Sequence, residues 1–305
     1  MNQTVSAVKI QEEKAKSGTL IVAHTYQPPE ILALADVIGD SFALSVAASK
    51  TDAERVLMCG VRFMAETVKI LSPQKEVILA SPDAGCPMAE QIAPARVARF
   101  KKENPGVPVV AYINTSARLK AECDVCVTSS TAVKIVKALP EETLLFIPDK
   151  NLGAWVQTQV PEKKLILWDG YCPVHNTITA ADVAAAKAAH PGAKVALHPE
   201  CPADALALAD TIGSTKEIID FCLAETGPVI IGTERGVADN LLLTHPEREL
   251  HYLCPEKLLC PDMKRTSVAD VYACLRGDAG EIIVLDEEVR LAAKRCVDAM
   301  LRYGG

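Results

Sequence analysis

Asp169-Gly-Tyr-Cys-Pro-Val-His175 follows an apolar run, Leu165 to Trp168, of the kind that fills a buried strand. A Cys-Pro pair thus stands just past a strand end, with a histidine three residues on. Cys86-Pro87 lies 86 positions upstream of Cys172, and Cys260-Pro261 lies 88 positions downstream. Two near-equal gaps could be accident, and Cys254-Pro255 is out of phase. Other features, however, keep the same beat.

Ile21-Val-Ala runs into His24-Thr-Tyr26, Val109-Val-Ala into Tyr112-Ile-Asn114, and Val195-Ala-Leu into His198-Pro-Glu200. These strand ends are 88 and 86 positions apart. Small hydroxyls at loop-to-helix junctions, Ser41, Ser129 and Thr215, are spaced by the same 88 and 86. Three classes of feature on one period indicate an internal triplication. The period is too long for a solenoid unit, so each repeat is expected to be a small α/β domain.

The element pattern agrees. A surface helix is expected over Gln3 to Ser17. Strands are expected at Thr19 to Ala23, Arg55 to Met58 and Glu76 to Ala80, with helices at Glu30 to Val37, Ser41 to Ser49 and Arg62 to Leu71. The second repeat reads as helices at Ala95 to Glu103, around Ala117, at Thr131 to Leu139 and at Leu152 to Gln159. Its strands are Pro108 to Ala111, Val125 to Val127, Thr143 to Ile147 and Lys164 to Trp168. The third reads as helices at Ala180 to Ala189, Pro202 to Ala209 and Lys216 to Glu225, with strands at Lys194 to Leu197, Pro228 to Ile231 and Glu249 to Leu253. A helical tail through Asp286 to Tyr303 follows.

Short buried strands alternating with helices mean parallel sheets covered on both faces. The expected fold is therefore α/β: three pseudo-threefold-related three-layer αβα domains, over residues 1–88, 89–174 and 175–261, with the tail 262–305 packing on the first. Ligands bind outside the carboxyl ends of parallel strands. The unusual polar and sulfur residues all fall there, so three such ends facing one axis would gather them in a central cavity.

The chain has 305 residues, and no apolar run reaches the ~18 residues of a membrane span. No charged-then-apolar cleavable segment opens it, so a cytoplasmic protein is expected. A net charge of −7 argues against a nucleic-acid partner. Eleven scattered cysteines point to metal or sulfur chemistry rather than a disulfide framework. Three phased cysteines, Cys86, Cys172 and Cys260, suit a [4Fe–4S] cluster with one iron left open, because such a cluster takes one ligand per iron. Closed structural zinc usually has four ligands with close-spaced pairs. Cys123-x-x-Cys126 has redox spacing but no partners in phase and is read as structural. Cys254 is the rival ligand to Cys260.

Helix starts dock anions, so Ser41, Ser129 and Thr215 suggest a polyanionic substrate when they are not simply N-caps. His24 and His198 are read as anion donors, Tyr26 and Tyr112 as hydrogen-bonding or proton-transfer groups, and Glu200 as a general base.

Taken together, Ala23-His-Thr-Tyr-Gln27, Gly39-Asp-Ser41, Cys59-Gly-Val-Arg-Phe-Met-Ala-Glu-Thr67, Pro82-Asp-Ala-Gly-Cys-Pro-Met-Ala89, Tyr112-Ile-Asn-Thr115, His198-Pro-Glu-Cys201, Gly213-Ser-Thr215 and Cys260-Pro-Asp-Met-Lys264 make the chain resemble the quinolinate synthase family. The resemblance implies an iron–sulfur enzyme of NAD biosynthesis, a transferase. Such an enzyme condenses iminoaspartate with dihydroxyacetone phosphate and releases phosphate and water. It implies a [4Fe–4S] cluster on Cys86, Cys172 and Cys260 whose open iron acts as a Lewis acid. It also implies substrate contacts from His24, Ser41, Tyr112, Asn114, Ser129, His175, His198 and Thr215, and proton transfer by Tyr26 and Glu200. The unstable imine would come from an aspartate oxidase or dehydrogenase. The chain departs from relatives in carrying Thr25 between His24 and Tyr26. It also has only Cys254 and Cys260 near the last ligand, where some relatives have a tight three-cysteine run. Two other readings fit three cysteines around one cluster: a diphthamide-synthase-like enzyme cleaving S-adenosylmethionine, and a non-enzymatic iron–sulfur sensor.

Overall fold

The computed structural model describes residues 7–304. In chain order the helices are α1 (Ala7–Ser17), α2 (Pro29–Leu32), α3 (Ser41–Lys50), α4 (Arg62–Leu71), α5 (Pro87–Glu90), α6 (Pro94–Glu103), α7 (Ala117–Lys120), α8 (Ala132–Ala138), α9 (Lys150–Gln159), α10 (Ala180–Ala189), α11 (Ala203–Leu206), α12 (Thr215–Ala224), α13 (Gly236–Thr244), α14 (Val268–Arg276) and α15 (Glu287–Gly304). The strands are β1 (Thr19–His24), β2 (Val37–Gly39), β3 (Arg55–Cys59), β4 (Glu76–Leu79), β5 (Val109–Tyr112), β6 (Val125–Val127), β7 (Thr143–Ile147), β8 (Lys164–Leu167), β9 (Lys194–Leu197), β10 (Thr211–Ile212), β11 (Val229–Gly232), β12 (Leu250–Tyr252) and β13 (Glu281–Ile282). The first helix was expected from Gln3; residues 3–6 lie outside the described residues.

The chain divides into two compact units, residues 7–86 with 261–291 and residues 87–260 with 292–304. The first unit holds one sheet, ordered β13-β4-β3-β1-β2 and parallel except for the antiparallel edge strand β13. The second holds two four-stranded parallel sheets, β6-β5-β7-β8 and β10-β9-β11-β12. All three share one winding, in which the first strand of each set of four lies between the second and third. The α/β fold with helices interleaved among parallel sheets is the one the sequence pattern leads to. The strands β1, β3, β5, β7, β9 and β11 are buried along nearly their whole length, as sheets covered on both faces require. By contrast β8, expected as a buried run, lies at a sheet edge with Leu165 buried and Lys164 and Leu167 exposed. No helix among the described residues is long and apolar enough to cross a membrane.

The helices expected over Glu30 to Val37 and Pro202 to Ala209 are each only one turn, α2 and α11, and the chain then enters an edge strand, β2 or β10. The cause is an aspartate at the strand entrance. Asp36 accepts from the Ile21 amide and Asp210 from the Val195 amide, both at 2.8 Å, while their own amides donate to the carbonyls of those same residues. Asp124 does the same to Val109. This two-way anchor outbids local helix propensity, which amounts to only tenths of a kcal/mol per residue. Helices α13 and α14 and strand β13 are further elements that the sequence pattern did not bring out. Met263 lies near the start of the segment that returns to the first unit, and its carbonyl accepts from the Gln27 side chain at 2.6 Å.

Candidate active site

In the second unit the carboxyl ends of β5, β9 and β11 bring together the polar residues that follow them. Tyr112 is the last residue of β5 and His198 follows β9. Glu200 is two residues further on and is buried, as are His198 and His175. The Nδ1 atom of His175 lies 2.8 Å from Glu200 Oε2 and 3.3 Å from Cys172 Sγ, while its Nε2 lies 3.1 Å from the Thr233 hydroxyl. The Tyr112 hydroxyl also hydrogen-bonds Glu200. The imidazoles of His175 and His198 are 4.9 Å apart. Cys172, His175 and Glu200 therefore present three ligand-type atoms within 4.8 Å of one another.

Protonation follows from this geometry. Burial favours the neutral carboxyl of Glu200, but the surrounding imidazoles and the hydrogen bonds from His175 and Tyr112 outweigh it, holding the group below the usual carboxylate range. Burial lowers His198 to about 4, with His175 adding to the effect and Glu200 opposing it, so its imidazole is neutral. Neutral His198 accepts the Glu200 amide proton at Nδ1, 3.3 Å away, which leaves Nε2 carrying the hydrogen. His24 repeats the device in the first unit, where the Tyr26 amide donates to its Nδ1 at 3.1 Å. In both strand-end histidines Nδ1 is thus taken by a backbone amide, which leaves Nε2 as the ring nitrogen available to a ligand oxygen. His24 and Tyr26 stand edge to face, with centroids 4.4 Å apart. Lys264 donates to the Tyr26 carbonyl.

The hydroxyl residues are placed differently from N-caps. Asp40 caps α3, accepting from Ala43, and Ser214 caps α12 in a reciprocal box with Glu217. Ser41 and Thr215 are the first residues inside their helices, both buried, so neither hydroxyl is consumed as the cap. Ser129 lies three residues before α8 in a half-buried turn, beside Thr128, whose hydroxyl meets those of Ser130 and Thr131. Asn114 is half-buried two residues past β5.

Eleven thiols divide by exposure. Cys86, Cys172, Cys254 and Cys260 are partly exposed and the other seven are buried. Burial raises the thiols of Cys59, Cys123 and Cys201 and pushes Cys222 up to about 12 and Cys274 to about 11, so none of these is a ready thiolate. Burial and Asp182 push Cys254 up to about 11. Accessible sulfur is thus confined to the phased trio and Cys254. Cys123, from the pair with redox spacing, donates to the Leu119 carbonyl, and Cys126 meets Cys296 at 3.2 Å.

A family model for quinolinate synthetase A protein matches residues 8–302. The chain belongs to the quinolinate synthetase A family. Quinolinate synthases of Alkaliphilus metalliredigens and Caldicellulosiruptor bescii are each 44% identical to it, over 99% and 100% of both chains. The Clostridioides difficile enzyme is 42% identical over 92% of both. Thr233, which positions His175, and Asn151, which donates to the Glu200 carbonyl and the Asn176 side chain at 2.9 Å, escaped the sequence reading. Neither belongs to a class that recurs on the repeat period, and only their contacts reveal them.

Proposed function

We propose that the chain is a quinolinate synthase acting in NAD biosynthesis. In this reading it condenses iminoaspartate with dihydroxyacetone phosphate and closes the pyridine ring with loss of phosphate and water. The observation that carries the proposal is the buried carboxyl of Glu200, 2.8 Å from His175 Nδ1 and hydrogen-bonded to Tyr112, beside the sulfur of Cys172. Cys86, Cys172 and Cys260 would hold a [4Fe–4S] cluster, and the donor set fits: three thiols on strand-end loops, all among the four that are partly exposed. When bound, the cluster would supply an open iron as a Lewis acid for a substrate hydroxyl.

The protein's own groups supply the rest. His24 and His198, whose Nδ1 atoms are taken by backbone amides, donate Nε2–H to substrate oxygens. Ser41, Ser129 and Thr215, at or just ahead of the starts of α3, α8 and α12, offer hydroxyls where helix-terminal amides favour anions, as two carboxylates and a phosphate require. Tyr112, Asn114 and His175 complete the substrate contacts. Glu200 accepts a proton during isomerisation and aromatisation, with Tyr26 as a second proton-transfer group. The imine is unstable, so an aspartate-oxidising enzyme must supply it nearby. The reading places the protein in the cytoplasm.

Anaerobic purification, iron and sulfide analysis, and a titration with quinolinate followed by absorbance and spin resonance test this reading. About four irons per chain and a spectrum perturbed by quinolinate are expected. A cluster indifferent to quinolinate would favour the sensor or S-adenosylmethionine readings, and absence of iron after reconstitution would overturn the metal site.

A further inference from the structure

Two fully buried carboxylates, Asp149 and Glu234, occupy the same place in two of the three strand sets, each two residues beyond the third strand. Burying an acid is costly unless its oxygens are satisfied. Here one oxygen of each serves the following helix: Asp149 Oδ1 accepts from Leu152, and Glu234 Oε2 from Gly236, both at 2.8 Å. The other oxygen accepts the amide hydrogen of a phased cysteine. Cys172 N donates to Asp149 Oδ2 at 2.8 Å and Cys260 N donates to Glu234 Oε1 at 3.1 Å.

The next backbone amide completes the clamp. Lys150 N donates to Gly170 O at 2.8 Å and Arg235 N to Leu258 O at 2.7 Å, in each case the carbonyl two residues before the cysteine. Gly170 is held so closely that a Cβ there would lie 2.5 Å from the Pro148 carbonyl oxygen. The first strand set keeps the backbone half, since Arg62 N donates to Ala84 O at 2.9 Å, again two residues before Cys86. Its counterpart of the acid is Val61, which offers no acceptor.

We infer that Asp149 and Glu234 are positioning residues for the sulfur ligands Cys172 and Cys260, an inference that rests on the cluster reading above. A helix cap alone explains neither feature: serine or asparagine caps equally well and needs no burial. The second carboxylate oxygen fixes the backbone of the cysteine and hence the direction of its Cβ–Sγ bond. It also occupies the amide hydrogen, which therefore cannot donate to a cluster sulfur, and such hydrogen bonds tune cluster stability and potential. Two ligands are thereby preset by carboxylates, and the first strand set keeps the matching backbone bond.

Asp149→Ser separates the two roles. The serine hydroxyl can still cap α9 but is too short to reach the Cys172 amide as well. Wild type, Asp149→Ser, Glu234→Gln and the control Val61→Thr are reconstituted anaerobically. Cluster release to a chelator and the spin-resonance signature of the reduced cluster are then recorded. Release from Asp149→Ser should be on the order of 10- to 100-fold faster, with shifted g values. Glu234→Gln, which keeps one acceptor oxygen, should show a smaller increase, and Val61→Thr should match wild type. Rates within about twofold of wild type and an unchanged signature in both carboxylate variants would overturn the inference while leaving the cluster reading intact. If Asp149→Ser does not fold, Glu234→Gln alone decides by the same criterion. A wild type that takes up no cluster removes the metal reading, and this inference with it.

Discussion

Replacing His198 by asparagine should remove an acid-labile element of the fold. The side chain is buried and its folded-state value is lowered from 6.5 to about 4, first by burial and then by His175, with Glu200 opposing. The unfolded chain therefore binds this proton before the folded chain does. Stability from the neutral imidazole is complete above about pH 6.5 and is lost as pH falls towards 4, reaching about 3 kcal/mol in full. Between pH 7.5 and 5.0 the loss is about 2 kcal/mol. Asparagine can keep the acceptor that His198 Nδ1 offers the Glu200 amide, and it does not titrate. The lost ring volume adds a destabilisation that does not depend on pH. Asp149, raised to about 7 by burial and by Glu200, pulls the other way over the same range. The quantity to read is therefore the difference between wild type and variant. Urea unfolding of the metal-free chain at the two pH values, followed by circular dichroism, gives it directly. The wild type should lose about 2 kcal/mol more than the variant on acidification. Parallel losses within about 0.5 kcal/mol would mean that His198 is not held neutral, and the N–H donor role would fall with it.

Glu200→Gln should retain the cluster but lower turnover by about 10²- to 10⁴-fold, read as anaerobic quinolinate formation; near-normal turnover would remove Glu200 as the base. Because Glu200 is held below its ordinary 4.5, its contribution to stability is present above pH 4.5 and is lost as pH falls further, so the variant should show a flatter acid limb there. Cys172→Ala should abolish iron binding, whereas Cys254→Ser should leave iron per chain unchanged; iron loss in the serine variant would make Cys254 the ligand in place of Cys260. Gly232→Ala should destabilise by about 1–3 kcal/mol in thermal or urea unfolding, because its Cβ would fall 2.1 Å from Leu197 Cδ2, at the carbonyl that receives the His198 amide. Wild-type stability would show that β9 and β11 can part without cost.

Much of this protein is written in its one-dimensional pattern. Sheet strands buried on both faces must be short apolar runs, so β1, β5 and β9 can be read directly, and the residue that ends each run must lie at the ligand-binding edge. The period of 86 to 88 residues then links Cys86 to Cys172 and Cys260, and His24 to Tyr112 and His198. The same period also runs through Asp36, Asp124 and Asp210, which anchor the edge strands, and through Lys14, Lys101 and Lys187, which pair with them. Those charges are legible in the spacing, but nothing in their type distinguishes an anchor from a solvated surface residue.

The strand ends, and the sulfur and imidazole groups placed on them, are thus legible from the chain before it folds. How those groups are charged and aimed follows only from the packed sheets. That Ser41 and Thr215 sit inside their helices while Asp40 and Ser214 cap them turns on a single residue of backbone register. That Glu200 is ionised and His198 neutral depends on burial and on donors from elements distant in the chain. That Asp149 holds Cys172 across 23 positions follows from two adjacent parallel strands delivering their loops to one edge. Protonation and aim depend on the distances between groups, and those distances exist only once the sheets have formed.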